Sequence, residues 1–323
     1  MKMKRFLSFA LKVAISAGLI VLLLRSVDPS RLRHDLGRLE LGRLTLLLFV
    51  CWAGQLFCAQ RWRLFAASLG MNMSYRTAVE LYFVGMLFNI GLPSLVGGDV
   101  VKALMLSRKT AAPVRLSIAS VLQDRAVGLI ALLVYGSFAA LAAPLRWRGV
   151  PLVLFYGAAW LGIAAVLAVV WQGQRWYRPS STEGSRLSRL LAEAAEFHRA
   201  LVTMRLPGAG AAAQVIGFSL LNSALVLWVF QQVSTAAGHT IELAPFSALF
   251  PLITLVSMLP ISLGGVGIRE WAYVEALGAV GVAPEAALTI SLASSALIIV
   301  LDLAGLFFLP ALPAELRAKS THE

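Results

Sequence analysis

Charged residues are scarce in this chain: 14% of its 323 residues are Asp, Glu, Lys or Arg, whereas 59% are hydrophobic. Soluble domains average about 25% charged residues and contain no long uncharged apolar runs. Several apolar runs here approach or exceed the roughly 20 residues that a helix needs to cross a bilayer. The scarcity of charge therefore excludes an ordinary soluble globule and predicts an all-α, polytopic membrane protein.

Cysteine and histidine are also rare. The two cysteines, Cys51 and Cys58, lie seven positions apart in one apolar segment. Helical geometry places their α-carbons about 10 Å apart, which excludes a disulfide within that helix. The four histidines are scattered, without the spacing of a metal site. We therefore expect no metal ion, and nothing in the sequence indicates a cofactor.

Acidic residues are outnumbered, and the net charge is +12. The basic residues lie between apolar segments, which is typical of cytoplasmic loops and does not favour a nucleic-acid partner. The segment 234–244 contains no lysine or arginine, so we predict that it lies outside. This pattern predicts a multi-pass protein of the plasma (inner) membrane with cytoplasmic N- and C-termini.

Six apolar segments are predicted to be full membrane spans. They cover about 7–24, 44–60, 116–143, 151–171, 209–233 and 285–309. A signal peptide is the alternative for the first, but no small-x-small cleavage site follows it. Residues 28–43 predict a short interfacial helix, 61–76 a cytoplasmic loop, and 172–206 a cytoplasmic amphipathic linker.

Two shorter apolar segments are interrupted by related motifs. The pattern Leu-Pro-x-x-x-Gly-Gly begins at Leu92 and again at Leu259, 167 positions later, and each copy is followed by a cation, Lys102 or Arg269. The arms beside each motif are individually too short for a hydrocarbon core of about 30 Å. Irregular backbone at membrane depth needs protein or a wet cavity around it. Each motif therefore predicts a re-entrant helical hairpin.

The predicted spans repeat at nearly the same offset as the motifs. With the topology above, the first hairpin enters from the cytoplasm and the second from the exterior. Related motifs inserted from opposite sides are typical of inverted-repeat transport folds. We predict a single transmembrane domain over 1–323, with a first repeat over about 44–143 and a second over about 209–309.

Charges inside membrane spans are functional candidates, because each costs about 2.5–3.5 kcal/mol at the centre of a span. The backbone N–H groups after each glycine pair carry the positive end of a helix dipole, which suits a lipid phosphate. The predicted lipid- or anion-binding residues are Gly97, Gly98, Asp99, Lys102, Asp124, Arg125, Gly264, Gly265, Arg269 and Glu270. No nucleophile–base pair is evident, so we predict no catalytic residue. An alternative for Asp99 is an N-cap of its helical arm.

Structural pairing is the alternative role for the adjacent charges of the third predicted span. Asp124 and Arg125 point about 100° apart on a helix, so they face different elements. We expect Asp124 to pair with Lys102 or Arg269. We expect Arg125 to pair with Glu270. Both motifs are predicted to converge in one cavity.

These motifs resemble the family that carries the transmembrane domain of lysylphosphatidylglycerol synthase, a flippase-like integral membrane family. The similarity covers about residues 7–310, and its segments are Asn89 with Leu92-Pro93 and Gly97–Lys102, Asp124-Arg125 with Gly128-Leu129, and Leu259–Glu270. The chain departs from the family pattern at Lys102, Asp124 and Leu263, where arginine, glutamate and proline are more usual. The soluble aminoacyl-transfer domain of the full synthases is not expected here. The resemblance therefore implies a lipid-translocating or lipid-binding domain.

Our leading hypothesis is a flippase-like inner-membrane protein that binds and translocates an anionic phospholipid or a lipid-linked intermediate. One alternative is a membrane glycosyl- or aminoacyl-lipid transferase, although no long polar loop is available to house a donor nucleotide. Another is a non-transporting accessory subunit, which would have a lipid- or glycan-modifying enzyme as its partner.

Overall fold

The computed structural model describes residues 14–23, 25, 27–91, 97–176, 206, 208–259, 262 and 265–311. Its helices are α1 (Ala14–Leu23), α2 (Pro29–Gly37), α3 (Leu41–Ser68), α4 (Tyr75–Gly91), α5 (Gly97–Thr110), α6 (Val114–Ala142), α7 (Leu152–Trp176), α8 (Ala209–Ala236), α9 (Leu243–Ser257), α10 (Ile268–Gly278) and α11 (Pro284–Leu303). A 3₁₀ helix (Ala304–Ala311) continues α11. An antiparallel ribbon of two-residue strands, β1 (Arg146–Trp147) and β2 (Val150–Pro151), joins α6 to α7. The predicted all-α class is confirmed.

Five helices in the described part of the chain are long and apolar enough to cross a membrane. They are Leu41–Ser68, Val114–Ala142, Leu152–Val169, Ala209–Ala236 and Pro284–Pro310. These helices correspond to the second to sixth predicted spans. Of the first predicted span, residues 7–24, the structure describes residues 14–23, which form the short helix α1; the other residues of this span lie outside the described ranges. The linker predicted over 172–206 also lies mostly outside them.

The length of α3 corrects one prediction. A loop was expected over 61–76, but the helix continues to Ser68. Its last two turns bury Leu64 and Phe65 in a small cluster with Ala211 of α8. The apolar packing face thus extends past Arg61, whose charge is neutralised inside the protein. The prediction of a loop is therefore wrong for residues 61–68.

The helices α4 and α5 form an antiparallel pair. Lys109 near the end of α5 lies 3.9 Å from Glu80 near the start of α4, measured from Nζ to Oε2. At the opposite end, Gly98 N–H donates to Asn89 Oδ1 at 3.2 Å. A Cβ at Gly98 would overlap the carbonyl oxygen of Gly85, so small residues allow this close backbone approach. The two helices thus form a helical hairpin; its insertion from one side of the membrane stays a prediction.

The two long helices α3 and α8 have 28 residues each and run antiparallel. Glu40 N–H, at the start of α3, donates to the carbonyl of Ala236 at the end of α8 at 3.0 Å. Further along, Gln60 donates to Gln214 at 3.4 Å. The start of α3 therefore lies beside the end of α8, and the later part of α3 lies beside the start of α8.

The helix contacts have the same pattern in both halves. The series α3–α4–α5–α6 corresponds in order to α8–α9–α10–α11. The helix α6 packs against α9, and its counterpart α11 packs against α4. In the same way α5 packs against α6, and α10 against α11. Exchanging the two halves thus leaves these contacts in place.

Aromatic packing holds α9, the first helix of the second short pair, inside the largest apolar core of the described residues. The ring of Phe250 lies 5.0 Å from that of Phe230 and 5.4 Å from that of Phe246, between centroids. Tyr156 of α7 donates to the carbonyl of Ala248 at 2.8 Å. These contacts anchor α9 to both α7 and α8.

Candidate functional site

The first glycine motif places a group of paired charges at the start of α5. The carboxylate of Asp99 accepts two hydrogen bonds from Arg125 of α6, at 2.8 Å from Nε and 3.0 Å from Nη2. Lys102 Nζ lies 3.6 Å from the same carboxylate. Asp99 lies within the first turn of α5, so the N-cap alternative is wrong. We call these three residues the Asp99 cluster; two cations share one carboxylate in it.

The two cations of the Asp99 cluster differ in accessibility. Lys102 is 2% exposed, and its ammonium lies 4.3 Å from the ring centroid of Tyr82 and 4.8 Å from that of Trp62. Both distances are typical of cation–π contacts, which stabilise a desolvated ammonium. The side chain of Arg125 is 45% exposed although it is paired with Asp99. Arg125 is therefore the more exposed of the two cations.

A buried ion pair adjoins the cluster, and sequence reasoning missed its cation. Arg61 of α3 donates to Asp124 through Nε at 2.7 Å, and to Ser219 Oγ through Nη1 at 3.1 Å. The two charged side chains are only 5% and 1% exposed. The prediction that Asp124 pairs with Lys102 or Arg269 is therefore wrong.

The predicted partner of Arg125 is also wrong, because Arg125 binds Asp99 and not Glu270. The expectation that adjacent charges face different elements does hold. One side chain of the pair faces α3 and the other faces α5. Gly128, one turn further along α6, leaves room for the Arg61 guanidinium: a Cβ there would lie 3.3 Å from Nη2.

The second motif forms a smaller, neutral arrangement at the start of α10. Gly267 N–H donates to Glu270 Oε2 at 2.6 Å, while Arg269 Nε lies 3.4 Å from Oε1 of the same carboxylate. Gly265 and Gly267 have φ values of +82° and +86°, a region that favours glycine. Gly264 lies outside the described residues.

Side chains already occupy one backbone N–H at each motif. Asn89 accepts from Gly98, and Glu270 accepts from Gly267. These two N–H groups are therefore not free to bind a phosphate, and anion binding by the other backbone N–H groups of the motifs stays a prediction.

The charges of the two motifs are satisfied separately. Within the part of the chain that the structure describes, no hydrogen bond or ion pair joins the Asp99 cluster to Arg269 or Glu270. Nor do those residues include a group of three or more His, Cys, Asp and Glu placed to hold a metal ion. Convergence of the two motifs in one cavity stays a prediction.

The family described as the lysylphosphatidylglycerol synthase TM region matches residues 9–305, nearly the whole chain. The chain belongs to this family. The resemblance inferred from the two glycine motifs is thus confirmed. No curated protein matches the sequence. This member of the lysylphosphatidylglycerol synthase transmembrane family is a multi-pass membrane protein, and its family is one of lipid-related membrane domains.

Proposed function

We propose that this protein binds the headgroup of an anionic phospholipid, or of a lipid-linked intermediate, at the Asp99 cluster and translocates it across the inner membrane. The observation that carries the proposal is the charge of the cluster, where two cations share one carboxylate. Guanidinium groups bind phosphate in a bidentate manner, and Arg125 has nearly half of its side chain exposed.

The low dielectric of a membrane domain strengthens this binding. A phosphate about 4 Å from an unscreened cation gains on the order of 4 kcal/mol at an effective dielectric constant of 20. Asp99 already offsets part of the cationic charge, so the net attraction is smaller. Intermediate attraction suits a translocation site, since the headgroup must leave as well as bind.

The symmetry of the helix contacts supports movement of the site between the two faces of the membrane. The corresponding helices α3 and α8 run antiparallel, as expected if the two repeats have opposite orientations in the bilayer. Inverted repeats allow one half to rock against the other around a fixed site. The proposal includes two opposed re-entrant hairpins and cytoplasmic termini.

Reconstitution tests the proposal. Proteoliposomes would contain phosphatidylglycerol with a fluorescent headgroup, and dithionite would report how much label reaches the outer leaflet. We expect Arg125→Gln to slow translocation at least about tenfold, which corresponds to 1.4 kcal/mol. Arg148→Gln is the matched control, because Arg148 also pairs with a carboxylate at 2.8 Å, that of Glu275, outside the cluster. Equal rates for wild type and Arg125→Gln would refute the site.

A further inference from the structure

A second group of cations, Arg76 and Lys109, lies where α4 begins and α5 ends, beside a groove of about 620 Å³. Helix α3, the first two turns of α4 and the 3₁₀ helix line this groove. Its volume lies within the usual range of small-molecule sites. The Asp99 cluster belongs to the other end of the hairpin and contributes no residue to this lining.

One wall of the groove is apolar and is formed by the 3₁₀ helix. The 3₁₀ helix runs for eight residues, whereas runs longer than three or four are uncommon. Gly305 in its first turn touches the backbone of α4 so closely that a Cβ would overlap the carbonyl oxygen of Phe83. The Phe308 ring packs against the Phe83 ring at a tilt of 36°, with the centroids 5.2 Å apart, while Phe307 is 82% exposed. Phe307 is the most exposed large apolar side chain among the described residues.

The rim of the groove repeats the charge arrangement of the Asp99 cluster. Arg76 Nε lies 3.0 Å from Glu80 Oε1, and Lys109 Nζ lies 3.9 Å from Glu80 Oε2. Two cations again share one carboxylate. The side chain of Arg76 is 90% exposed, so it can bind an anion without breaking a buried contact.

An apolar wall beside an unbalanced cationic rim matches one amphipathic molecule. We propose that the groove binds a single anionic phospholipid, with its phosphate at Arg76 and Lys109 and an acyl chain along Leu56, Val79 and Phe307. Tyr75 links α4 to α3 beside the groove, because its hydroxyl donates to the carbonyl of Leu56 at 3.2 Å. A free phosphate would use the cations but gain nothing from the wall. Binding of this lipid in the groove does not rest on the proposed function.

Native mass spectrometry of the full chain in detergent tests the binding. The ligands are dioleoylphosphatidylglycerol, dioleoylphosphatidylcholine and inorganic phosphate. Arg76→Gln removes the exposed cation, and Leu56→Trp fills the groove from an exposed position. The matched controls are Arg31→Gln, an exposed arginine also paired along its helix, and Leu161→Trp, an exposed leucine of α7.

We expect each groove variant to retain one phosphatidylglycerol molecule fewer than the wild type and both controls. Phosphatidylcholine and inorganic phosphate should not compete. Unchanged retention in Leu56→Trp and Arg76→Gln would overturn the inference, as would displacement of the lipid by phosphate. If Arg125→Gln translocates normally while the groove variants lose one lipid, the proposed function fails and the groove assignment stands. If Arg125→Gln blocks translocation while the groove variants bind as wild type, only the groove assignment fails.

Discussion

The substitution Asp124→Asn should strongly destabilise the fold, because it leaves a buried cation without its counter-ion. Arg61 is 4% exposed, and a guanidinium cannot escape the cost of burial by losing its proton. The introduced amide would keep an oxygen for the 2.7 Å hydrogen bond but would carry no charge. Breaking a buried pair by removing one partner typically costs about 3–5 kcal/mol. We expect a loss of that size in the free energy of unfolding.

The measurement is reversible unfolding by sodium dodecyl sulfate in mixed micelles, followed by circular dichroism. Glu275→Gln provides the control, since it removes a carboxylate from an exposed pair with Arg148. Exposed pairs contribute about 0.2–1 kcal/mol, so this variant should unfold almost as the wild type does. A loss below about 1 kcal/mol for Asp124→Asn would refute the assignment of Arg61 as a buried, fully charged partner.

The double variant Arg61→Met/Asp124→Leu separates loss of charge balance from loss of packing. Apolar replacements of a whole buried pair are often neutral or stabilising. Ser219 would lose a donor, but its hydroxyl still donates to the carbonyl of Val215 at 2.6 Å. The double variant should therefore recover most of the stability that Asp124→Asn loses.

Two further substitutions test the first hairpin. Gly98→Ala should lower the melting temperature in detergent, because its Cβ would overlap Gly85 and Asn89. Gly162→Ala on α7 is the control and should change the melting temperature little, because its Cβ would meet open space. Equal melting temperatures for the two variants would contradict the close α4–α5 packing. Lys102→Met should lower the free energy of unfolding by about 2 kcal/mol, because the variant loses a desolvated cation–π contact together with an ion pair. That cost should persist without any added lipid, and an effect seen only with lipid present would show that Lys102 acts as a ligand and not in packing.

Much of the helical framework could be predicted from hydropathy alone. The span expected over 116–143 is observed at Val114–Ala142, and the one expected from 209 begins at Ala209. Both are long apolar runs bounded by turns or charges, so the length of a bilayer and the period of a helix decide their extent. The interruption at the first motif likewise separates two short helices, α4 and α5.

Charge partners could not be predicted in the same way. Spacing along a helix determines the direction of a side chain but not which neighbour lies there. The carboxylate that neutralises Arg61 is 63 positions away in sequence, so no nearby residue indicated that this charge is buried. Arg61 was therefore predicted to mark the end of a membrane span. The 3₁₀ helix had no sequence signal either, because its close contact with α4 involves Gly305 and a backbone carbonyl.

The two glycine motifs differ in electrostatics, and this difference favours the first motif as the proposed headgroup site. Each short helix that follows a motif has a cation, Lys102 or Arg269, and these two residues are separated by the same 167 positions as the motifs. In α10 the carboxylate of Glu270 follows that cation directly and also accepts from the backbone, so the local charge is balanced. The α5 arm gains Arg125 from α6, whereas the corresponding position in α11, offset by 167, is Leu292. The proposed headgroup site therefore lies in the first half, where the carboxylate of Asp99 faces two cations.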